Sequence, residues 1–205
     1  NNKFQLHLAM EQARRVVPEV FGEFQKLTGR GYGLTEGYRT EDAEVVLFLL
    51  GSSYHTAKVA VDKLREHGKK AGVFTTNVLR PFPGEALAAY CKHAKCVVIG
   101  DRQDSYGAQG GNMSMEIKAA LQEHGINVPL LSRVYGLGGL DFYVEDAQTM
   151  LAEGSHAAEA PRFDYVGKYP GQKGLEVKQY FAPISAEDAS PKLTECVVDE
   201  ETGRV

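Results

Sequence analysis

Apolar residues recur along this chain in two rhythms. Leu6, Ala9, Ala13, Val17, Val20, Phe21, Phe24 and Leu27 return every three or four positions, which gathers them on one face of a helix. The spacing predicts a long amphipathic helix over residues 1–30. It is expected to kink at Pro18, which lacks a backbone donor, and to end at Gly29, Gly31 and Gly33. A short strand is expected over 34–38.

From residue 44 the rhythm changes. Val45, Val46, Leu47, Phe48, Leu49 and Leu50 form a near-continuous apolar run, as expected of a parallel strand covered on both faces. Gly51, Ser52 and Ser53 stop it, and Ser is a preferred helix N-cap. Ala57, Ala60, Val61 and Leu64 then define a helical face that Gly68 closes. The unit repeats: a strand over 71–79 and a helix over 85–93, then a strand over 95–100 and a helix through Met113, Ile117, Ala120 and Leu121. A strand over 128–135 and a helix over 144–151 follow. Alternation at this spacing specifies an α/β fold, a three-layer α/β/α sandwich around a mostly parallel sheet of about five strands. After Gly154 the periodicity lapses. Residues 155–205 are expected to form an extended, irregular C-terminal arm docking on a partner, with short strands near 175–181 and 195–198. Its five aromatics are Phe163, Tyr165, Tyr169, Tyr180 and Phe181.

Composition narrows the function classes. Of 205 residues 43% are hydrophobic and 24% charged, and the formal charge is −4. A weakly acidic chain has no electrostatic reason to bind a nucleic-acid backbone. The longest apolar run is too short to span a bilayer, and nothing at the N-terminus reads as a signal peptide. The expectation is therefore a cytoplasmic protein with no nucleic-acid or membrane partner. The first residue is Asn rather than Met, so both a natural subunit and a part of a longer polypeptide are considered. Cys91, Cys96 and Cys196 lack the spacing of a zinc or iron–sulfur site and read as inert thiols.

In an open parallel sheet, ligands bind beyond the carboxyl ends of the strands. Three loops are expected there: 51–53, 101–112 and 136–141. Glycine-rich turns before helix N-termini suit anions, but none matches the phosphate-loop pattern or carries its lysine. Gly100-Asp101 with Asn127 half-matches the Gly-Asp-Gly…Asn motif that holds magnesium in thiamine diphosphate enzymes. Arg102 occupies the place of the second Gly and would set a cation beside the metal, so no cofactor site is assigned. The six histidines form no H-x-x-x-H or H-E-x-x-H pair. No serine has an identifiable base. The candidate loop or interface positions are Ser52, Ser53, Arg80, Asp101, Arg102, Ser105, Gly107, Gly110 and Gly111, none with an assigned catalytic, cofactor-binding or metal-binding role.

Several short stretches, in this order, carry a resemblance. They are Gly33-Leu34 with Glu41-Asp42-Ala43-Glu44, Gly51-Ser52-Ser53 with Thr56-Ala57-Lys58, and Val78-Leu79-Arg80-Pro81-Phe82-Pro83. Further on come Asp101-Arg102 with Ser105 and Gly107, Gly110-Gly111 with Glu116, and Tyr135-Gly136-Leu137-Gly138-Gly139 with Asp141. Over about residues 32–151 the chain resembles domain II of the 2-oxoacid:ferredoxin oxidoreductases, nearest to the alpha subunit of the pyruvate enzyme. The resemblance implies a transketolase C-terminal-like fold over 31–154, with one strand near Leu34 antiparallel to the rest. It implies that helix 1–30 is the family's linker helix. It also implies a complex that converts a 2-oxoacid and coenzyme A to acyl-CoA and carbon dioxide and reduces ferredoxin. Such a complex uses thiamine diphosphate, magnesium and iron–sulfur clusters, held on other domains or subunits. The chain alone is expected to be inactive and to brace those domains. Two alternatives stand beside this reading: the C-terminal domain of a transketolase-like or E1-type enzyme, and a free-standing anion-binding module.

Overall fold

The structure, a computed structural model, describes residues 1–167. The expected arm segments at 175–181 and 195–198 lie outside the described residues. The first helix, α1 (Asn2–Thr28), runs continuously through Pro18 and ends at Gly29, whose φ of 73° lets its N–H reach the Gln25 carbonyl. An L-residue with a side chain resists that left-handed geometry. No residue of α1 is buried.

The core begins with β1 (Thr35–Tyr38) and β2 (Val45–Phe48). Then α2 (Ser52–Glu66), β3 (Ala71–Thr76), α3 (Gly84–Cys91), β4 (Cys96–Asp101) and α4 (Asn112–Glu123) alternate. The chain continues through β5 (Leu130–Val134), a single 3₁₀ turn (Leu137–Gly139), α5 (Val144–Ser155) and β6 (Phe163–Tyr165). The sheet order is β1-β3-β2-β4-β5-β6, with β1 antiparallel to β3 and every other pairing parallel. The antiparallel strand at Thr35–Tyr38 is the one that the resemblance implied.

Period-two geometry explains the double-sided burial. Val45, Leu47 and Leu49 point into one apolar cluster with Ala57, Ala60 and Val61 of α2 and Ala147, Met150 and Leu151 of α5. Val46 and Phe48 point into a second cluster with Leu87, Ala88 and Cys91 of α3 and Ile117 and Leu121 of α4. A strand covered on both faces favours apolar side chains along its length, and all four residues of β2 are apolar and buried.

Three expectations are corrected. The sheet has six strands rather than about five, and the sixth, Phe163–Tyr165, comes from the segment assigned to the arm. A three-residue strand is too short to show a period; it forms because β5 offers a free edge. Second, the last helix runs past its expected end at 151, to Ser155, and carries Gly154 within it. Gly154 is buried, and an added Cβ would stand 2.4 Å from Val45 Cγ1. Its lack of a side chain lets α5 approach the sheet. Third, Ser52 makes no side-chain cap: Gly51 occupies the N-cap of α2 with φ 62°.

Candidate functional site

After β2 the chain moves to β3 on one side of it, and later returns to β4 on the other. The carboxyl ends of β2 and β4 therefore flank a topological switch point, where open α/β sheets place their ligands. A cleft of about 320 Å3 opens there, lined by Ser52, Ser53, Thr56, Arg102, Asp141, Phe142 and Tyr143. Three of the nine candidate positions line it: Ser52, Ser53 and Arg102. The other six lie elsewhere.

Ser53, Arg102, Asp141 and Tyr143 of the cleft make hydrogen bonds within the domain. Burial pushes the Tyr135 phenol above its ordinary range, opposed by its hydrogen bond with Ser53. Arg102 Nη2 donates to the Gly136 and Leu140 carbonyls, both at 3.3 Å. Gly136 (φ 64°) has no room for a Cβ, which would lie 2.7 Å from Arg102 Nε. Tyr143 donates its hydroxyl to Asp141 at 3.2 Å, and that bond raises the phenol's pKa. Sequence reasoning missed Phe142 and Tyr143, while Thr56 and Asp141 appeared only in the stretches that carry the resemblance. Thr56 also sits one helical turn after Ser52.

Asp101 has a different task from the metal-holding role its motif suggested. Its carboxylate, 5% exposed, accepts from Met113 N (2.9 Å), Ser114 N (3.1 Å) and Ser114 Oγ (2.8 Å). The two N–H groups are among the free backbone donors of the first turn of α4. The local N-cap is Gly111, and a Cβ there would fall 2.5 Å from Asp101 Cβ and Cγ. Asp101 thus fills the space of a capping side chain from ten residues upstream of the N-cap. Asn127 is exposed before β5, at the opposite end of the sheet, beside His124 and Val128. The two halves of the thiamine diphosphate motif are therefore held apart, and the residues present do not fit that cofactor. Among the described residues no group of three His, Cys, Asp or Glu is placed to hold a metal ion.

The remaining positions shape the loop that joins β4 to α4. Gly110 has φ 135°, and an added Cβ would lie 2.7 Å from both Ser114 Cβ and Ser132 Oγ. Gly107 (φ 81°) turns in open space. Ser105 Oγ lies 3.3 Å from Asn112 Oδ1 and 3.1 Å from Gln103 Nε2. Gln103 Oε1 in turn accepts from Asn112 N at 3.0 Å. Arg80, after β3, donates to Glu116 on α4.

Burial pushes the Cys91 thiol up to about 12 and the Cys96 thiol up to about 11. The thiolate is the reactive form, so in the native chain at pH 7.5 neither should be alkylated by iodoacetamide. Both should label completely after denaturation, which peptide mapping would show; native labelling at either position would contradict the packing.

A doubly wound α/β domain with one antiparallel edge strand, whose strand-end residues are spent on holding its own loops, is the class that the fold and the site define. Comparison with known proteins specifies it further: the chain belongs to the family described as pyruvate:ferredoxin oxidoreductase core domain II, whose model matches residues 43–147. It is 44% identical over 137 residues to pyruvate synthase subunit PorA of Thermotoga maritima, covering 67% of this chain and 35% of that one. It is 34% identical over 164 residues to ketoisovalerate oxidoreductase subunit VorA of Pyrococcus horikoshii, covering 79% and 41%. The chain thus spans well under half the length of these relatives. A solved 2-oxoglutarate:ferredoxin oxidoreductase from Magnetococcus marinus is similar with a TM-score of 0.46 and 20% identity, covering 60% of this chain and 20% of that one. Among the described residues no helix is long and apolar enough to cross a membrane.

Proposed function

We propose that this chain is an assembly domain or subunit of a thiamine diphosphate-dependent 2-oxoacid:ferredoxin oxidoreductase. Pyruvate is the first substrate to test. The complex would convert the 2-oxoacid and coenzyme A to acyl-CoA and carbon dioxide and pass electrons to ferredoxin in the cytoplasm. Thiamine diphosphate, magnesium and iron–sulfur clusters would be carried by other domains or subunits. One observation supports an architectural role for this chain: Asp101, the residue nearest to a cofactor ligand, spends both carboxylate oxygens on the N-terminus of α4. A buried carboxylate so engaged holds a helix in register with its strand, which suits a domain that braces its neighbours.

The test has two parts. Calorimetry of the purified chain with thiamine diphosphate and magnesium should show no saturable binding, and phosphate or coenzyme A alone should show none. A chain tagged in its source cells should co-purify with polypeptides bearing ferredoxin-type cysteine clusters and with pyruvate-dependent ferredoxin reduction. Saturable thiamine diphosphate binding, or recovery of the chain without such partners, would overturn the proposal. Saturable phosphate binding would favour the anion-binding module at the Arg102 cleft.

A further inference from the structure

The segment 156–165 joins α5 to β6 and makes contacts that a loose edge would not need. Arg133, one residue before the end of β5, is 0% exposed. Its guanidinium gathers three pieces of structure. Nε donates to Glu153 Oε2 of α5 at 2.6 Å, and Nη1 donates to the carbonyls of Ser132 at 2.9 Å and Pro161 at 3.1 Å. Nη2 is buried with no partner among the described residues. A guanidinium in this setting has lost its water, and only well-placed acceptors compensate. It has no spare acceptor, so losing the Pro161 carbonyl would fall on a cation already one bond short. The docked position of 156–165 is thereby favoured as a unit.

The far end of the same segment reaches the loop between β4 and α4. β6 follows β5 in parallel through Ser132↔Phe163, Arg133↔Asp164 and Val134↔Tyr165, flanked by Ser132 N to Arg162 O and Val166 N to Val134 O, both 2.8 Å. Tyr165 then donates its hydroxyl to Asp104, in the loop between β4 and α4. That bond holds the Tyr165 phenol up at about 12. The same loop holds Arg102, which lines the cleft two residues before Asp104, and Gln109, whose carbonyl accepts from Ser132 Oγ at 3.4 Å. Strand β6 therefore reaches the loop at the switch point through the Tyr165 side chain.

We propose that residues 156–165 form a conformational strap: clamped onto β5 by the buried Arg133, it sets the order of loop 102–111 beside the cleft through the Tyr165–Asp104 bond. Docking of the strap and ordering of the loop are then one equilibrium, biased from either end. This coupling does not depend on which complex the chain serves.

Hydrogen–deuterium exchange on the full 205-residue chain tests it. Tyr165→Phe removes one hydroxyl and leaves packing intact. It should speed exchange in 102–111 by roughly 3–10-fold, the worth of one hydrogen bond, and exchange in 160–166 by a smaller factor, because the coupling is reciprocal. Arg133→Met should speed exchange in both segments together. Glu153→Gln, which weakens the clamp without removing the guanidinium, should do the same to a smaller degree and keeps the test open if Arg133→Met does not fold. Loosening of 160–166 without any change in 102–111 would overturn the coupling, as would an unchanged loop in Tyr165→Phe. An unchanged strap in Glu153→Gln would overturn the clamp.

Discussion

Replacing Asp101 with Ala is expected to destabilise the chain by about 2–4 kcal/mol, because two backbone N–H groups and a buried hydroxyl lose their common acceptor. Met113 N and Ser114 N belong to the first turn of α4, where no preceding helical carbonyl can serve them. Gly111, at the N-cap, has no side chain to take over. Water would reach the site only by opening a buried strand end. For a domain of this size that loss lowers the midpoint of thermal unfolding by roughly 5–15 °C. Asp101→Asn keeps one carbonyl acceptor but turns an amide N–H towards α4, and should fall between Ala and wild type. Differential scanning calorimetry of the three proteins checks the order. A midpoint for Asp101→Ala within a degree of wild type would show that the carboxylate does not cap α4.

The second large effect is expected at the paired glycines of the same loop. Gly111→Val should cost about 2–4 kcal/mol through overlap with Asp101, since overpacking a filled interior forces backbone and side chains to shift. Its φ of −76° is ordinary, so the cost is steric and not torsional. Gly110→Val combines overlap with Ser114 and Ser132 and an unfavourable φ of 135°, and should cost at least as much. Gly107→Ala meets only the left-handed backbone and should cost about 1 kcal/mol. Ser105→Ala, with its single exposed hydroxyl network, should stay within about 0.5 kcal/mol. Urea unfolding of the four variants separates crowding from torsion. If Gly110 and Gly111 variants unfold at the wild-type midpoint, the loop is not packed against β4 and α4.

Both predictions concern residues that the sequence marked out for another reason. Asp101 stood out as half of a metal-diphosphate motif, and Gly110 and Gly111 as a turn before a helix. The nine candidate positions share the carboxyl edge of the sheet or the helices beside it, yet only Ser52, Ser53 and Arg102 line the cleft. Phe142 and Tyr143, which help to complete it, lie just before α5 and carry no motif.

What the sequence determined by itself is the order and kind of the main elements. The run Val45–Phe48 admits no solvated face, and Ala57, Ala60 and Val61 admit only one buried face; such local periods specify strand, helix and their alternation without knowledge of neighbours. The family resemblance over these elements was likewise a property of the residues in order, and the match over 43–147 rests on the same stretch. Tertiary structure alone decided three things. It made Phe163–Tyr165 a strand, because three residues have no period but β5 had an unpaired edge. It kept Gly154 inside α5, because contact with Val45 outweighs the poor helix propensity of glycine. And it gave Asp101 to α4 instead of a metal, because a buried carboxylate is bound by whichever donors the packing brings within reach, and here those are the free N–H groups of a helix that begins eleven residues later.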